Sequence, residues 1–142
     1  MKVLLDTNVI VGLFEKARRS QVAHAIRGVR EQGHNMYVIP QVIYEFWVVA
    51  TRPIHGNGLG LPAETVAGKV EGILQTFDFV DDGGGIYQKW IGLVKSYNVS
   101  GKKAHDARIV AAMQVHQMEA IMTSNSRDFG PLSALVTIIN PG

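Results

Sequence analysis

Met1-Lys2-Val3-Leu4-Leu5-Asp6-Thr7-Asn8 opens the chain as a short apolar run closed by an acid and two small polar residues. The run is too short for a helix and reads as a fully buried strand. Three further runs share its form: Met36–Ile39, Ala120–Met122 and Leu135–Ile139. A weaker one, Phe77–Val80, precedes the turn signal Asp81-Asp82-Gly83-Gly84-Gly85. Helical patterns lie between these runs. Ser20–Gln32 opens on a Ser cap and stops at Gly33, and Gln41–Thr51 stops before Pro53. Pro62–Gln75 starts with a proline, Ile86–Tyr97 follows the glycines, and Lys103–Gln117 leads into the fourth strand. Strands alternating with helices predict parallel pairing through right-handed crossovers, hence an α/β fold: a three-layer α/β/α sandwich around a sheet of about five strands. Thr51–Leu61, with Pro53, Asn57 and three glycines, reads as a loop between helices and a candidate flap near a site.

At 142 residues the chain has the size of one domain, so a single core spanning 1–142 is expected. Apolar residues make up 46% and charged residues 18%, a composition that excludes disorder. The 14 basic and 12 acidic residues leave a net charge of +2, which permits a nucleic-acid partner without demanding one. With no cysteine, disulfides and thiolate metal sites are excluded. The opening run is too short for a signal peptide and no segment approaches the length of a membrane span, so a soluble, cytoplasmic protein with no membrane partner is expected.

Ligands of open parallel sheets bind beyond the carboxyl ends of the strands. Asp6 follows the first strand and belongs at that edge; its plainer reading is a helix cap. Glu45 aligns with Val42 and Val49 on an apolar helical stripe, where an isolated charge is costly; the plainer reading is a salt bridge to Arg52 or Arg108. Asp106 aligns with Val110 and Met113 and lies in a first helical turn, where the helix dipole alone favours an acid. Asp128 follows the fourth strand within Thr123-Ser124-Asn125-Ser126-Arg127-Asp128-Phe129, and a polar loop residue is its plainer reading. Together the four acids stand where side chains converge over the carboxyl edge of such a sheet. Converging carboxylates repel one another unless a cation joins them, and an all-oxygen set suits Mg²⁺ or Mn²⁺. Asp6→Asn is therefore expected to relieve repulsion and raise the melting temperature of the metal-free chain. The five histidines are scattered without zinc-ligand spacing.

Leu4-Leu5-Asp6-Thr7-Asn8, Val42-Ile43-Tyr44-Glu45, the helix beginning Asp106-Ala107-Arg108, and Thr123 to Phe129 together resemble PIN-domain nucleases, most of all the VapC-type toxins of bacterial toxin–antitoxin pairs. The resemblance spans nearly the whole chain. It implies a five-stranded parallel sheet, Mg²⁺- or Mn²⁺-dependent cleavage of RNA, a cognate antitoxin and a homodimer. It also implies that Asp6, Glu45 and Asp106 bind metal. Many relatives carry acids at the positions of both Asn125 and Asp128; this chain keeps only the second.

The expected reaction is phosphodiester hydrolysis by metal-activated water, with Asp6, Asp106 and Asp128 as ligands and Glu45 binding through water or acting as a base. Thr7, Asn8, Thr123 and Asn125 are placed to fix the acids and waters. Arg18, Arg19, Lys102, Lys103, Arg108 and Arg127 are candidates for holding the RNA backbone. Two rivals stand beside this reading. A phosphatase or phosphoryl-acceptor domain also places an Asp after its first strand, but usually has a further acid two residues on, where this chain has Asn8, and a nearby Lys. A catalytically silent PIN-like binding module is the other.

Overall fold

Val3, Leu4 and Leu5 are wholly buried because their strand lies in the middle of a sheet covered on both faces. The computed structural model describes residues 1–142. Its strands are β1 (Lys2–Leu5), β2 (Asn35–Val38), β3 (Asp78–Phe79), β4 (Ala120–Met122) and β5 (Thr137–Ile139), arranged in the order β3-β2-β1-β4-β5. Every pairing is parallel, with Leu4 beside Tyr37 on one flank and Ile121 on the other. The helices are α1 (Thr7–Gly12), α2 (Arg19–Glu31), α3 (Pro40–Thr51), α4 (Ala63–Thr76), α5 (Ile86–Ser96) and α6 (Lys103–Val115). The five expected strands and five expected helices are all present, and the fold is the expected parallel α/β one.

The chain leaves β1 toward β2 on one side and returns to β4 on the other. The connections therefore diverge between β1 and β4, and their carboxyl ends face an open crevice. One cluster of 32 buried apolar side chains fills the space between sheet and helices.

Several boundaries differ from expectation, each for a local reason. Helix α2 begins at Arg19 without a side-chain cap, because the turn bonds from Arg18 N and Arg19 N to Glu15 O start it before Ser20. Helix α6 stops at Val115, since Gln117 turns left-handed (φ 58°) and Met118 N closes onto Met113 O at 2.8 Å. Six-residue α1, implied only by the cap reading of Asp6, and the 3₁₀ segment Ser126–Leu135 carry no helical pattern in the sequence. The stretch from Thr51 to Leu61 is pinned rather than free. It contains a 3₁₀ turn at Ile54–Gly56, and Leu59 N and Leu61 N bond Val49 O and Ala50 O, both at 3.0 Å.

Candidate active site

Asp6 N donates to Met122 O at 3.0 Å, so the backbone pairing of β1 with β4 continues one residue past the strand and brings Asp6 beside Thr123. Both side chains are buried, Thr123 completely. Asp6 Oδ1 accepts from Thr7 N at 2.8 Å, as the cap of α1. Oδ2 accepts from Thr123 Oγ1 at 2.8 Å and Asn8 Nδ2 at 3.1 Å. Thr123 Oγ1 in turn accepts from Asn8 Nδ2 (3.1 Å) and Asn125 N (3.0 Å), which leaves its one proton to point at Asp6. Asn8 completes the clip by accepting from Ser124 N at 2.8 Å. The cap reading of Asp6 is correct as far as it goes, and it leaves Oδ1 with a free lone pair.

Glu45 makes no salt bridge; neither ion pair of the molecule includes it. Its Oε2 accepts from Thr7 Oγ1 at 3.0 Å and its Oε1 from Gln41 Nε2 at 3.1 Å, one turn earlier on α3. Gln41 is buried and also donates to His105 O at 2.9 Å, fastening α3 to the start of α6. Arg108 turns away from Glu45: it donates to Gln41 Oε1 (3.1 Å) and pairs with Asp82 at 3.2 Å. Sequence reasoning missed Gln41. Its only signal was its position four residues before an acid.

Asp6, Glu45, Asp106 and Asp128 line one pocket of about 290 Å³ with Thr7, Asn8, Asn125 and Arg18. The structure thus brings the four acids together, with Asp128 and Asn125 on the exposed rim contributed by the 3₁₀ segment. The pocket's one cation, Arg18, is tied to Glu15 at 2.8 Å and to Asn8 O and Ser124 Oγ, and no lysine lines it. The lysine that a phosphoryl-acceptor site usually carries is therefore missing from the pocket. Arg19, Lys102, Lys103 and Arg127 are exposed outside it.

The electrostatics follow from this gathering. Burial pushes the Asp6 carboxyl above its ordinary range, partly opposed by the Thr123 and Thr7 hydrogen bonds and reinforced by Glu45. Asp106 is pushed up to about 6, first by burial and then by Asp128, Asp6 and Glu45. No hydrogen bond to its carboxylate offsets these causes. The donor set of carboxylates and amide oxygens with no sulfur fits a hard divalent ion. The acids surround the pocket without closing on it: no three His, Asp or Glu side chains are drawn in tightly enough to hold an ion as they stand.

A parallel α/β domain with an acid-lined crevice where its connections diverge is the class that fold and site define. A family model described as PIN domain matches residues 3–131, and the chain belongs to that family. No curated protein matches it in sequence. Among solved structures it is similar to VapBC2 from Rickettsia felis, bound to a DNA fragment from their promoter (TM-score 0.72, 14% identity, 99% of this chain and 98% of that one covered). It is likewise similar to FitAcB from Neisseria gonorrhoeae (0.71, 19%, 98% and 97%). A toxin–antitoxin complex from Klebsiella pneumoniae gives 0.64 at 20% identity, with 99% and 98% covered. At these identities the likeness is one of fold. No helix is long and apolar enough to cross a membrane.

Proposed function

We propose that this chain is a Mg²⁺- or Mn²⁺-dependent endoribonuclease, the toxin of a toxin–antitoxin pair. The observation that carries the reading is the lining of one crevice by Asp6, Glu45, Asp106 and Asp128, none of them paired with a cation, while the pocket's one cation, Arg18, is taken by Glu15. Four unpaired carboxylates facing one pocket are costly unless their function is to bind positive charge. Membership of the PIN family and fold-level similarity to toxin–antitoxin complexes support the same reading.

Asp106 and Asp128 would hold the ion together with the free lone pair of Asp6 Oδ1. A divalent ion there supplies neutralisation of phosphoryl charge and an acidified water. The chain's own residues do the positioning. Thr123 and Asn8 fix the Asp6 carboxylate, so it cannot rotate away. Thr7 and Gln41 hold one lone pair on each oxygen of Glu45 and leave the other free, which suits Glu45 to take a proton from the attacking water. Asn125 contributes an amide where many relatives carry an acid. It adds an oxygen without a charge.

A second copy of the chain is the proposed partner for the outer face of α3, where Tyr44, Trp47 and Val48 are exposed together. Trp47 stands on the exposed side of the helix. The antitoxin is the other proposed partner.

The purified protein should cut single-stranded RNA with Mg²⁺ or Mn²⁺, stop in EDTA, and lose at least 10²-fold in rate on Asp106→Asn, on the order of 3 kcal/mol of transition-state stabilisation. Undiminished cutting in EDTA would overturn the metal mechanism. Absence of any cutting would leave the silent binding module as the better reading.

A further inference from the structure

Behind Gln41 lies a second pocket, separate from the acids. It has a volume of about 460 Å³, within the range of small-molecule sites, and is lined by Asp82, Ile86, Tyr87, Trp90 and Arg108 with Gly83 and Gly85. It opens where β3 gives way to α5, and Gly85 reaches the start of α5 through a left-handed φ of 96°. Two features mark it as more than a packing gap. Tyr87 is a large aromatic left 65% exposed, with its ring 6.1 Å from that of Trp90. Trp90 is held by its indole N–H to Ala104 O at 2.8 Å, so this aromatic wall is fixed to the first turn of α6.

The pocket's charges cancel. Arg108 is paired with Asp82 Oδ2, which keeps a lone pair beside the one that Arg108 takes, while Asp82 Oδ1 is buried and finds no donor in the protein. Arg108 spends one N–H on Asp82 and one on Gln41 and has further donors to offer. An aromatic face, a spare acceptor and spare donors with no net charge suit an uncharged planar ring whose edge both donates and accepts. A phosphate would meet the Asp82 carboxylate. The pocket also adjoins the acids: Asp82, Arg108, Gln41 and Glu45 form one continuous chain of hydrogen bonds from its wall to the crevice.

We propose that this pocket binds a nucleobase of the RNA strand whose phosphate lies among the acids. The inference rests on the nuclease reading and deepens it: the base stacks on Tyr87 and Trp90, and its edge meets Asp82 and Arg108. Neighbouring nucleotides along one strand then occupy the two pockets, and Tyr87 sets which strands are held.

The test is an NMR titration of metal-free protein in EDTA with the four nucleoside 5′-monophosphates, and inorganic phosphate as the control. At least one nucleotide should shift the Trp90 indole resonance and the Gly83–Gly85 amides, phosphate alone should not, and Tyr87→Ala should abolish the shift. In cleavage assays Tyr87→Ala should weaken oligoribonucleotide binding roughly five- to 150-fold, the range that loss of one base–aromatic stack produces, and raise KM more than it lowers kcat. Being exposed, Tyr87 can be removed without unfolding the chain. A Trp90 indole that no nucleotide moves, or Tyr87→Ala cleaving with unchanged KM, overturns the pocket. The titration does not depend on cleavage: an inactive protein with a moving indole defeats the nuclease reading, and an active one with an unmoved indole defeats the pocket.

Discussion

Asp6 accepts three hydrogen bonds and the Asp106 carboxylate accepts none, and this separates their responses to losing a charge. In Asp6→Asn an amide N–H₂ must face either Thr7 N–H or the Thr123 and Asn8 donors. A buried donor left unpaired costs about 1–3 kcal/mol. Asp6→Asn should therefore melt below wild type even in EDTA, which reverses the expectation drawn from the sequence. Asp106→Asn is where relief of a charge disfavoured first by burial and then by repulsion should be seen. The Asp106 carboxyl is raised from an ordinary 3.8 to about 6, so the folded state favours its protonated form. That contribution to stability is fully present below pH 4 and is lost as pH rises through about 6. In EDTA at pH 7, Asp106→Asn should melt a few degrees above wild type, and at pH 4 the two should coincide. Thermal melts at both pH values check this; a variant less stable at pH 7 would show that neither burial nor the neighbouring acids disfavour the Asp106 charge. The four acids were legible because strand ends and helical stripes are one-dimensional patterns. Gln41 was not, because a polar residue one turn before an acid looks like any solvated pair. Nor was Arg108's true partner, since Asp82 approaches it only through the path of the loop after β3.

At the scale of elements, legibility followed length and periodicity. Strands of three or four residues stand out as apolar runs between turn signals, although β5, at the sheet edge, is only partly buried and not fully buried as its run suggests, and helices of eleven residues or more repeat their apolar face often enough to be recognised. Helix α1 has too few residues for a period. The 3₁₀ segment Ser126–Leu135 does not keep the 3.6-residue period and is broken at Gly130 (φ 50°, ψ −129°), a conformation that disfavours any side chain. That kink lets Phe129 and Leu132 both reach the core while Asp128 stays on the pocket rim. Gly130→Ala should cost about 1–3 kcal/mol and also displace Asp128, lowering the cleavage rate of the folded protein. Gly58→Ala makes the contrast. A Cβ there would meet Arg52 O at 2.0 Å, so the turn after α3 must shift, at about 1–3 kcal/mol, while the acids stay in place. Melting curves beside rates normalised to folded protein should show both variants destabilised and only Gly130→Ala impaired. Equal impairment would mean that the turn after α3 does reach the site, as its glycines first suggested.

For the whole molecule, the strand order decides what each surface faces. The acids occupy the crevice between β1 and β4, and the exposed aromatics of α3 point outward. If two copies meet there, Trp47→Glu should halve the mass seen by light scattering and leave the melting temperature of the monomer near its starting value, because Trp47 supports little of the core. An unchanged mass would remove α3 as the interface. The same strand order has a consequence in time. Thr123 and the Asp6 that it holds are 117 residues apart, and the crevice between them does not exist until β4 lies alongside β1. Chains emerge at about 5–20 residues per second, so roughly 6–25 s pass between the start of synthesis and the arrival of Asp128. Until then Asp6 lacks the Thr123 hydroxyl that orients it, and Asp106 and Asp128 are not yet there to face it, so the acids gather only after β4 has been made.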